Sequence, residues 1–403
     1  MRWRWDGLLV GLAWAMAVRS QHATNTLAAA AEQASKLPLA PGLRLSVWAA
    51  EPQLSNGVAF HLDPNGRVFV AESHRWARSV FDITQRTNWL LQDLAFRTVE
   101  DRVRHLEAEF AAVDPELLTR DSEVVRRVED RDGDGRADHS EVVADGFNTP
   151  GDGTAAGVLA TRDAIYFADI PNLWKLTPTS AGTVAREALA TGFGVHVGVS
   201  GHDLHGLAMG PDGRLYVSMG DRGLHVTNRE GRVLDLPDMG SVLRCEPDGS
   251  GLEVFCVGLR NPQELAFDDE GELWTVDNDT AGADPCRVLH LVRDGDYGWR
   301  CSYQHQDGFG PWVQEELWKG GKDNILPLAG TVSQGPSGLA FYPGTGLGDA
   351  WRGKFLHCDF PGGVWSFDVR PRGASFEVGR RDKFVWGCWP TDVDFGPDGS
   401  VYV

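Results

Sequence analysis

One pattern recurs along this chain and limits its fold more than any other feature. It is a short apolar strand, a Gly-bearing turn, and a second apolar strand that in five copies ends in an acid. The first copy reads Gly57-Val58-Ala59-Phe60, Asp63-Pro64-Asn65-Gly66, then Val68-Phe69-Val70-Ala71-Glu72. Further copies lie at 157–169, 201–221, 264–277, 338–359 and 392–403. Each reads as a β-hairpin, because two runs rich in Val, Leu, Phe and Tyr flank a turn. Between the copies lie further strand pairs, such as 242–245 with 253–256. Two hairpins make a four-stranded blade, and blades repeated around an axis make a propeller. Six copies therefore predict an all-β, six-bladed β-propeller over residues 41–403, its last blade cut after the second strand. Residues 43–48 alternate apolar and polar and are expected to complete that blade from the far end of the chain. The 48 glycines and 21 prolines supply the many tight turns such a fold needs.

The repeat is interrupted once. Val99, Val103, Leu106 and Phe110 fall at helical spacing with charges between them. They predict a short helical insertion in blade one, about residues 84–118, packed outside the blades or over one rim.

The chain begins with Arg2 and Arg4 and continues into an apolar run over 8–18, too short to span a bilayer. This predicts a signal peptide over residues 1–23, followed by a linker over 24–40, and hence an exported protein of the periplasm or cell surface. An uncleaved lipid anchor or a disordered tail is the alternative. Six cysteines in an exported chain are expected to pair. Cys245 and Cys256 would face each other across a hairpin; Cys286 with Cys301 and Cys358 with Cys388 are further candidates. No cysteine spacing suits a zinc site. The net charge of −19 excludes nucleic acid as a partner, since phosphate binding needs a basic face.

In a propeller the first strand of each blade lines the channel. The residues ahead of it, and the last residue of the second strand, share one mouth. The loops at 148–150, 202–205, 260–263, 334–337 and 389–392 would meet there, with the acids Glu72, Asp169, Asp221, Asp277 and Asp359. A carboxylate at a strand end can simply accept loop N–H groups. A subset, notably Asp221 and Asp277, could instead hold Ca²⁺ or bind hydroxyls. His202 and His205, with Asp203 between, are two imidazoles within four residues at that mouth. A neutral imidazole there could take a proton from a substrate hydroxyl, or the pair could bind a metal. Arg260 offers a rigid fork of donors for a carboxylate or oxyanion, or it pairs with an acid of the ring.

A separate motif stands in blade one. Asp130, Asp132, Asp134, Asp138 and Glu141 occupy positions 1, 3, 5, 9 and 12 of a twelve-residue loop with Gly135 at position 6. That is EF-hand-type spacing for Ca²⁺. The flanking Val124-Val125 and Val142-Val143 read as strands, so a Ca²⁺-clamped hairpin loop is expected, with a plain Asp-Gly turn as the alternative.

Residues 258–267 followed by Gly295-Asp296-Tyr297-Gly298-Trp299, together with 202–223 and 335–342, resemble segments of the soluble quinoprotein glucose/sorbosone dehydrogenases. The subgroup most similar is the exported, membrane-associated dehydrogenase-type propellers of planctomycetes, often followed by helical repeats and a cytochrome c module. The resemblance implies a six-bladed propeller that binds pyrroloquinoline quinone (PQQ) and Ca²⁺ at the channel mouth. It implies that His202 takes the hydroxyl proton of a sugar or polyol while hydride passes to the quinone. Arg260 would act beside it, and Arg260, Asn261, Gln263 and His205 would contact the cofactor. A cytochrome c acceptor and peripheral membrane association follow from the same resemblance. Three places depart from the family. Gly201 stands where the family has an acid, with Asp203 after the base instead. Blade five reads Asp359-Phe360-Pro361-Gly362-Gly363-Val364-Trp365 where the family has basic quinone contacts, and residues 279–284 keep the acids of the cofactor-calcium loop in another arrangement. Two other readings stay open: a non-catalytic carbohydrate- or protein-binding propeller, and a Ca²⁺-dependent lactonase.

Overall fold

Among the described residues, alternating apolar side chains and Gly-bearing turns produce a succession of largely antiparallel sheets, formed in chain order. The computed structural model describes residues 27–180, 182–278, 286–303, 325–360 and 362–403. The signal peptide expected over 1–23 and the acidic loop at 279–284 lie outside the described residues. The first sheet holds β1 (Gly57–Leu62), β2 (Val68–Glu72), β3 (Glu123–Glu129) and β4 (His139–Phe147). The second holds β5 (Gly157–Ala160), β6 (Ile165–Asp169), β7 (Asn172–Pro178) and β8 (Val184–Thr191). The third begins with β9 (Leu204–Met209) and β10 (Leu215–Met219). It detours through a hairpin of β11 (Leu224–Thr227) and β12 (Val233–Leu236), then resumes with β13 (Gly240–Cys245) and β14 (Glu253–Leu259). The fourth holds β15 (Pro262–Phe267), β16 (Leu273–Asp277) and β17 (Arg287–Leu291), after which β18 (Gly295–Asp296) pairs in parallel with β14. The fifth holds β19 (Pro336–Phe341), β20 (Lys354–Asp359), β21 (Gly362–Arg372) and β22 (Ser375–Cys388), and the sixth β23 (Asp394–Phe395) and β24 (Val401–Tyr402).

The leading strands of successive sheets touch: β1 meets β5, β5 meets β9, β9 meets β15, β15 meets β19, β19 meets β23, and β23 returns to β1. Glycine makes this approach tight. A Cβ on Gly206 would lie 2.8 Å from the Glu264 Cα, and one on Gly338 would lie 2.6 Å from the Asp392 Cα. At the last junction carboxylates supply the bonding. The Phe60 N–H donates to Asp392 Oδ2 at 2.7 Å and the Leu62 N–H to Asp394 Oδ2 at 3.2 Å, covering backbone donors on the edge of β1 that β2 leaves open. The core lies between sheets. Leu173, Leu215, Val217 and Leu243 fill the space between the second and third sheets, and Tyr216, Val242, Leu265 and Leu289 that between the third and fourth. Each such side chain contributes about 1.5–3 kcal/mol by leaving water.

The insertion forms a helix, Val99–Phe110, with the Thr98 N–H donated to Asp101 Oδ2 at 3.2 Å. Val99, Arg102, Leu106 and Phe110 are buried, while Val103 is half-buried. The helix packs with Ile83, Trp89 and Leu118 against Val195, Val197 and Tyr303. It therefore sits over the loops that precede β9 and follow β18, not on the outer wall.

Three expectations need correction. Cys245, Cys256, Cys301, Cys358 and Cys388 are thiols, so none of the three expected disulfides forms. The β13–β14 register pairs Val242 with Cys256 and Arg244 with Glu253. It places Cys245 in the core shared with the second sheet and Cys256 in the core shared with the fourth, on opposite faces. The stretch read as a linker contains a helix, Leu27–Ala34, and then runs along β22, where the Ala40 N–H reaches Phe384 O at 2.8 Å and the Trp386 N–H reaches Pro38 O at 3.0 Å. Residues 43–48 form no strand; Trp48 instead meets Tyr402 of the sixth sheet edge-on at 5.6 Å. Among the described residues no helix is long and apolar enough to cross a membrane.

Candidate functional site

The acids at the strand ends bond back to the loops ahead of the leading strands. Glu72 Oε1 accepts the Ser55 N–H at 2.7 Å, and Asp277 Oδ1 accepts those of Arg260 and Asn261 at 3.1 and 2.7 Å. Asp359 Oδ1 accepts the Gln334 and Gly335 N–H groups, each at 3.0 Å. In three copies the carboxylate thus staples its own loop to its own strand. Asp169 departs from this: it is 1% exposed, and neither carboxylate oxygen has a partner among the described residues. Burial pushes its carboxyl well above the usual range, with Asp152 and Glu123 adding to the effect.

Asp221, two residues beyond β10, is used differently. Its Oδ1 lies 2.6 Å from His202 Nδ1, and its Oδ2 accepts the Trp299 indole N–H at 2.9 Å. Its own N–H donates to Arg260 O at 2.7 Å, and its carbonyl accepts the Ser302 hydroxyl at 3.0 Å. Burial alone would raise this carboxyl. The His202 imidazole, its hydrogen bond and the Arg260 guanidinium outweigh burial and hold it below the ordinary value. An ionised carboxylate on Nδ1 assigns the proton to that nitrogen. His202 Nε2 is then the basic nitrogen, and it has no hydrogen-bond partner among the described residues.

Arg260 comes to the same place. Its guanidinium carbon lies 5.5 Å from the centre of the Trp299 ring, and its Nη1 donates to Asn278 Oδ1 at 2.5 Å. His202 and Arg260, 3% and 5% exposed, are therefore joined through Asp221 and Trp299. Asn261 lies next to them. Its Oδ1 is buried with no donor in bonding geometry, although the side chain stands beside His205. Gln263 is half-buried on β15 and makes no side-chain hydrogen bond among the described residues. His205 is committed internally, because its Nε2 accepts the Asp203 N–H at 3.0 Å. Burial lowers this imidazole to about 4, so it is neutral and braces the loop rather than offering Nε2 to a bound group. Asp203 in turn pairs with Arg222 and accepts the Thr154 hydroxyl at 2.5 Å.

At the fifth sheet, aromatic side chains stand where basic cofactor contacts were sought. Asp359 Oδ2 accepts the Trp365 indole N–H at 3.0 Å. Phe360 meets Trp389 edge-on at 5.0 Å, and Trp389 is 56% exposed. Arg381 and Lys383 lie over Trp365 and Trp386 at 4.7 and 4.2 Å, on the outermost strand. Pro361 lies outside the described residues.

In the β3–β4 hairpin the structure brings together carboxylate oxygens of Asp130, Asp132 and Asp134 within 4.8 Å of one another. Asp138 Oδ1 accepts the Arg131 N–H at 3.0 Å, and Glu141, on β4, pairs with Arg127 at 2.8 Å. Those two of the five expected ligands are outside the cluster.

Sequence reasoning placed Asp221 at the mouth but missed that it holds His202, and it missed the role of Trp299. The shared position of all strand-end acids was the available signal.

The all-β sheet arrangement gives the chain the fold of the soluble quinoprotein glucose/sorbosone dehydrogenase-like proteins. Solved structures with this fold include the PQQ domain of pyranose dehydrogenase from Coprinopsis cinerea in its holo form. It is 12% identical, with 91% of this chain and 94% of that chain covered and a TM-score of 0.53. A candidate oxidoreductase (glucose dehydrogenase) from Thermus thermophilus is 20% identical, with 86% and 90% covered and a TM-score of 0.50. The chain belongs to the family described as Domain of unknown function (DUF7133), matched over residues 29–403. No curated protein matches it.

Proposed function

We propose that the chain is an exported, six-bladed propeller dehydrogenase that oxidises a hydroxyl of a sugar or polyol, with PQQ as its cofactor. The observation that carries this is the Asp221–His202 pair, whose Nε2 is uncommitted, beside a guanidinium stacked on Trp299. Bound PQQ would supply a two-electron hydride acceptor. Arg260 brings positive charge to the carboxylate edge of PQQ and Gln263 an amide that makes no side-chain hydrogen bond among the described residues, whereas the orphaned Asn261 Oδ1 can serve only a donor, such as an N–H or hydroxyl. His202 Nε2 would receive the hydroxyl proton, and the carboxylate of Asp221 would stabilise the imidazolium that results. Arg260 would hold negative charge that develops on the substrate oxygen.

Six blades are supported by the six successive sheets and by the cycle of leading-strand contacts that the Asp392 and Asp394 carboxylates complete. Export to the periplasm or cell surface, peripheral membrane association and a cytochrome c acceptor extend the same reading. Ca²⁺ is assigned to the loop of Asp130, Asp132 and Asp134, where it would clamp the β3–β4 hairpin.

A second reading is a non-catalytic carbohydrate-binding propeller. It is favoured by the exposed Trp389 beside Phe360, since aromatic faces suit sugar rings and cannot neutralise a cofactor carboxylate. The lactonase reading needs mouth acids available to a metal; Glu72, Asp221, Asp277 and Asp359 each accept protein donors, which leaves Asp169, whose oxygens have no partner among the described residues, as the acid it would use. Purified protein supplied with PQQ and Ca²⁺ and assayed for dye reduction with a panel of aldoses and polyols separates the readings. Turnover that His202→Ala abolishes supports the dehydrogenase; sugar binding without turnover supports the second reading.

A further inference from the structure

The helical insertion does more than cover a core. Several polar groups of the loop that delivers His202 are bonded to it or to the segment leading into it. The Gly198 carbonyl accepts the Ile83 N–H at 2.9 Å, and the Ser200 N–H and hydroxyl both reach Asp82 Oδ2, at 3.1 and 2.9 Å. The Trp76 indole N–H donates to the same Ser200 hydroxyl at 3.0 Å. The centre of this network is Asp93, the last residue of the short helix Leu90–Asp93, which is 0% exposed. Its Oδ1 accepts the Val197 N–H at 2.6 Å and its Oδ2 the Gly198 N–H at 3.3 Å. The Tyr303 hydroxyl also donates to Oδ2. His196 adds a further tie, with Nδ1 on the Asp93 carbonyl at 2.7 Å and Nε2 on Asp238 at 3.1 Å.

These partners lie on two different segments. Val197 and Gly198 begin the turn in which the His202 N–H bonds Val199 O at 3.3 Å. Tyr303 follows Trp299 and Ser302, the two residues that hold Asp221 from the other side. One buried carboxylate thus fixes both the segment that carries the base and the segment that braces the base's own carboxylate. A shift of either segment would change the His202–Asp221 geometry, and about 1 Å of misplacement at a reacting group costs about 100-fold in rate. We propose that Asp93 is a positioning residue for the Asp221–His202 pair, and that the helical insertion is part of the site's scaffold; this rests on the dehydrogenase reading given above.

Asp93→Asn keeps the shape but turns an amide N–H₂ toward the Gly198 N–H and the Tyr303 hydroxyl. The test measures two things in the full chain. The first needs no substrate: the NMR resonance of the proton between His202 Nδ1 and Asp221, and that of the Trp299 indole N–H. The second is dye-linked turnover of the PQQ-loaded protein. In Asp93→Asn both resonances are expected to move or broaden, and kcat to fall about 10- to 100-fold while KM changes less than about threefold. Phe110→Leu, in the core of the insertion, is the control for a merely structural role, and should leave the resonances and kcat near wild type at a comparable loss of Tm. Leu91→Ala, at a position 80% exposed, should change nothing. If Asp93→Asn does not fold, Tyr303→Phe removes one of its bonds alone and should shift the Trp299 indole signal. The proposal is overturned if Asp93→Asn leaves resonances and kcat at wild-type values, or if Phe110→Leu reproduces its changes. Absence of turnover in the wild type would instead count against the dehydrogenase reading, and the NMR arm would still decide the role of Asp93.

Discussion

The imidazole Nδ1 of His202 lies 2.6 Å from the carboxylate of Asp221, a residue nineteen positions further along the chain. The bond joins the loop ahead of β9 to the end of its partner strand β10. It leaves one nitrogen, Nε2, as the basic atom of a buried pair.

This relationship makes Asp221→Asn informative. The amide N–H₂ would face Nδ1 and favour the tautomer with its proton on Nε2, which cannot act as a base. Sugar-dependent dye reduction is expected to fall by about 10²- to 10⁴-fold with the fold retained by circular dichroism. Activity within about twofold of wild type would contradict the assignment.

Acid sensitivity follows from His205. Unfolded, the imidazole titrates near 6.5; folded, burial lowers it to about 4, because Nε2 must accept the Asp203 N–H unprotonated. Between these values the unfolded chain binds more protons. The contribution is therefore full above about pH 6.5 and is lost as pH falls toward about 4, on the order of 3 kcal/mol. His357, buried and lowered to about 4, acts in the same direction. Denaturant titrations across this window should show a smaller pH slope in His205→Gln, whose amide oxygen can accept the same N–H without titrating. An unchanged slope would contradict the argument.

The junction of first and sixth sheets should depend on its carboxylates. Asp394→Ala removes the acceptor of the Leu62 N–H and is expected to cost about 1–3 kcal/mol. Amide exchange at Phe60 and Leu62 should accelerate before that of β10 or β16. Uniform protection across the sheets would show that the contact does not hold the first and sixth sheets together.

The acidic hairpin loop predicts a calcium response. Adding Ca²⁺ should raise Tm, and saturation at about 100 times Kd would add about 2.7 kcal/mol of stability. Asp130→Asn with Asp132→Asn should remove the response while leaving the metal-free Tm within a few degrees. No calcium-dependent shift in the wild type would reduce the loop to an Asp-Gly turn.

The repeat itself was legible because strand periodicity and turn chemistry are local. The hairpins at 57–72, 157–169 and 264–277 needed only alternation and a glycine. The strand-end acids were legible from the same register, and His202 from its departure from the other copies. What stayed hidden depends on distant pairing. Tyr303 and Asp93 are 210 positions apart, and nothing in either neighbourhood announces the other. The disulfide expectation failed because a turn between Cys245 and Cys256 does not fix their register, and a shift within the pairing sent the two side chains to opposite faces. Residues 38–40 join the edge of β22 through backbone bonds, with Leu39 packed on the core beneath, and a single leucine leaves no strand pattern to read.

The most direct measurement is an absorbance titration of the purified chain with PQQ in the presence of Ca²⁺, followed by addition of an aldose. Saturable uptake of about one quinone per chain and sugar-dependent reduction of the bound chromophore are expected. The His202→Ala protein should take up the quinone but not reduce it. Failure of the wild type to take up quinone, or reduction undiminished in His202→Ala, would contradict the dehydrogenase reading.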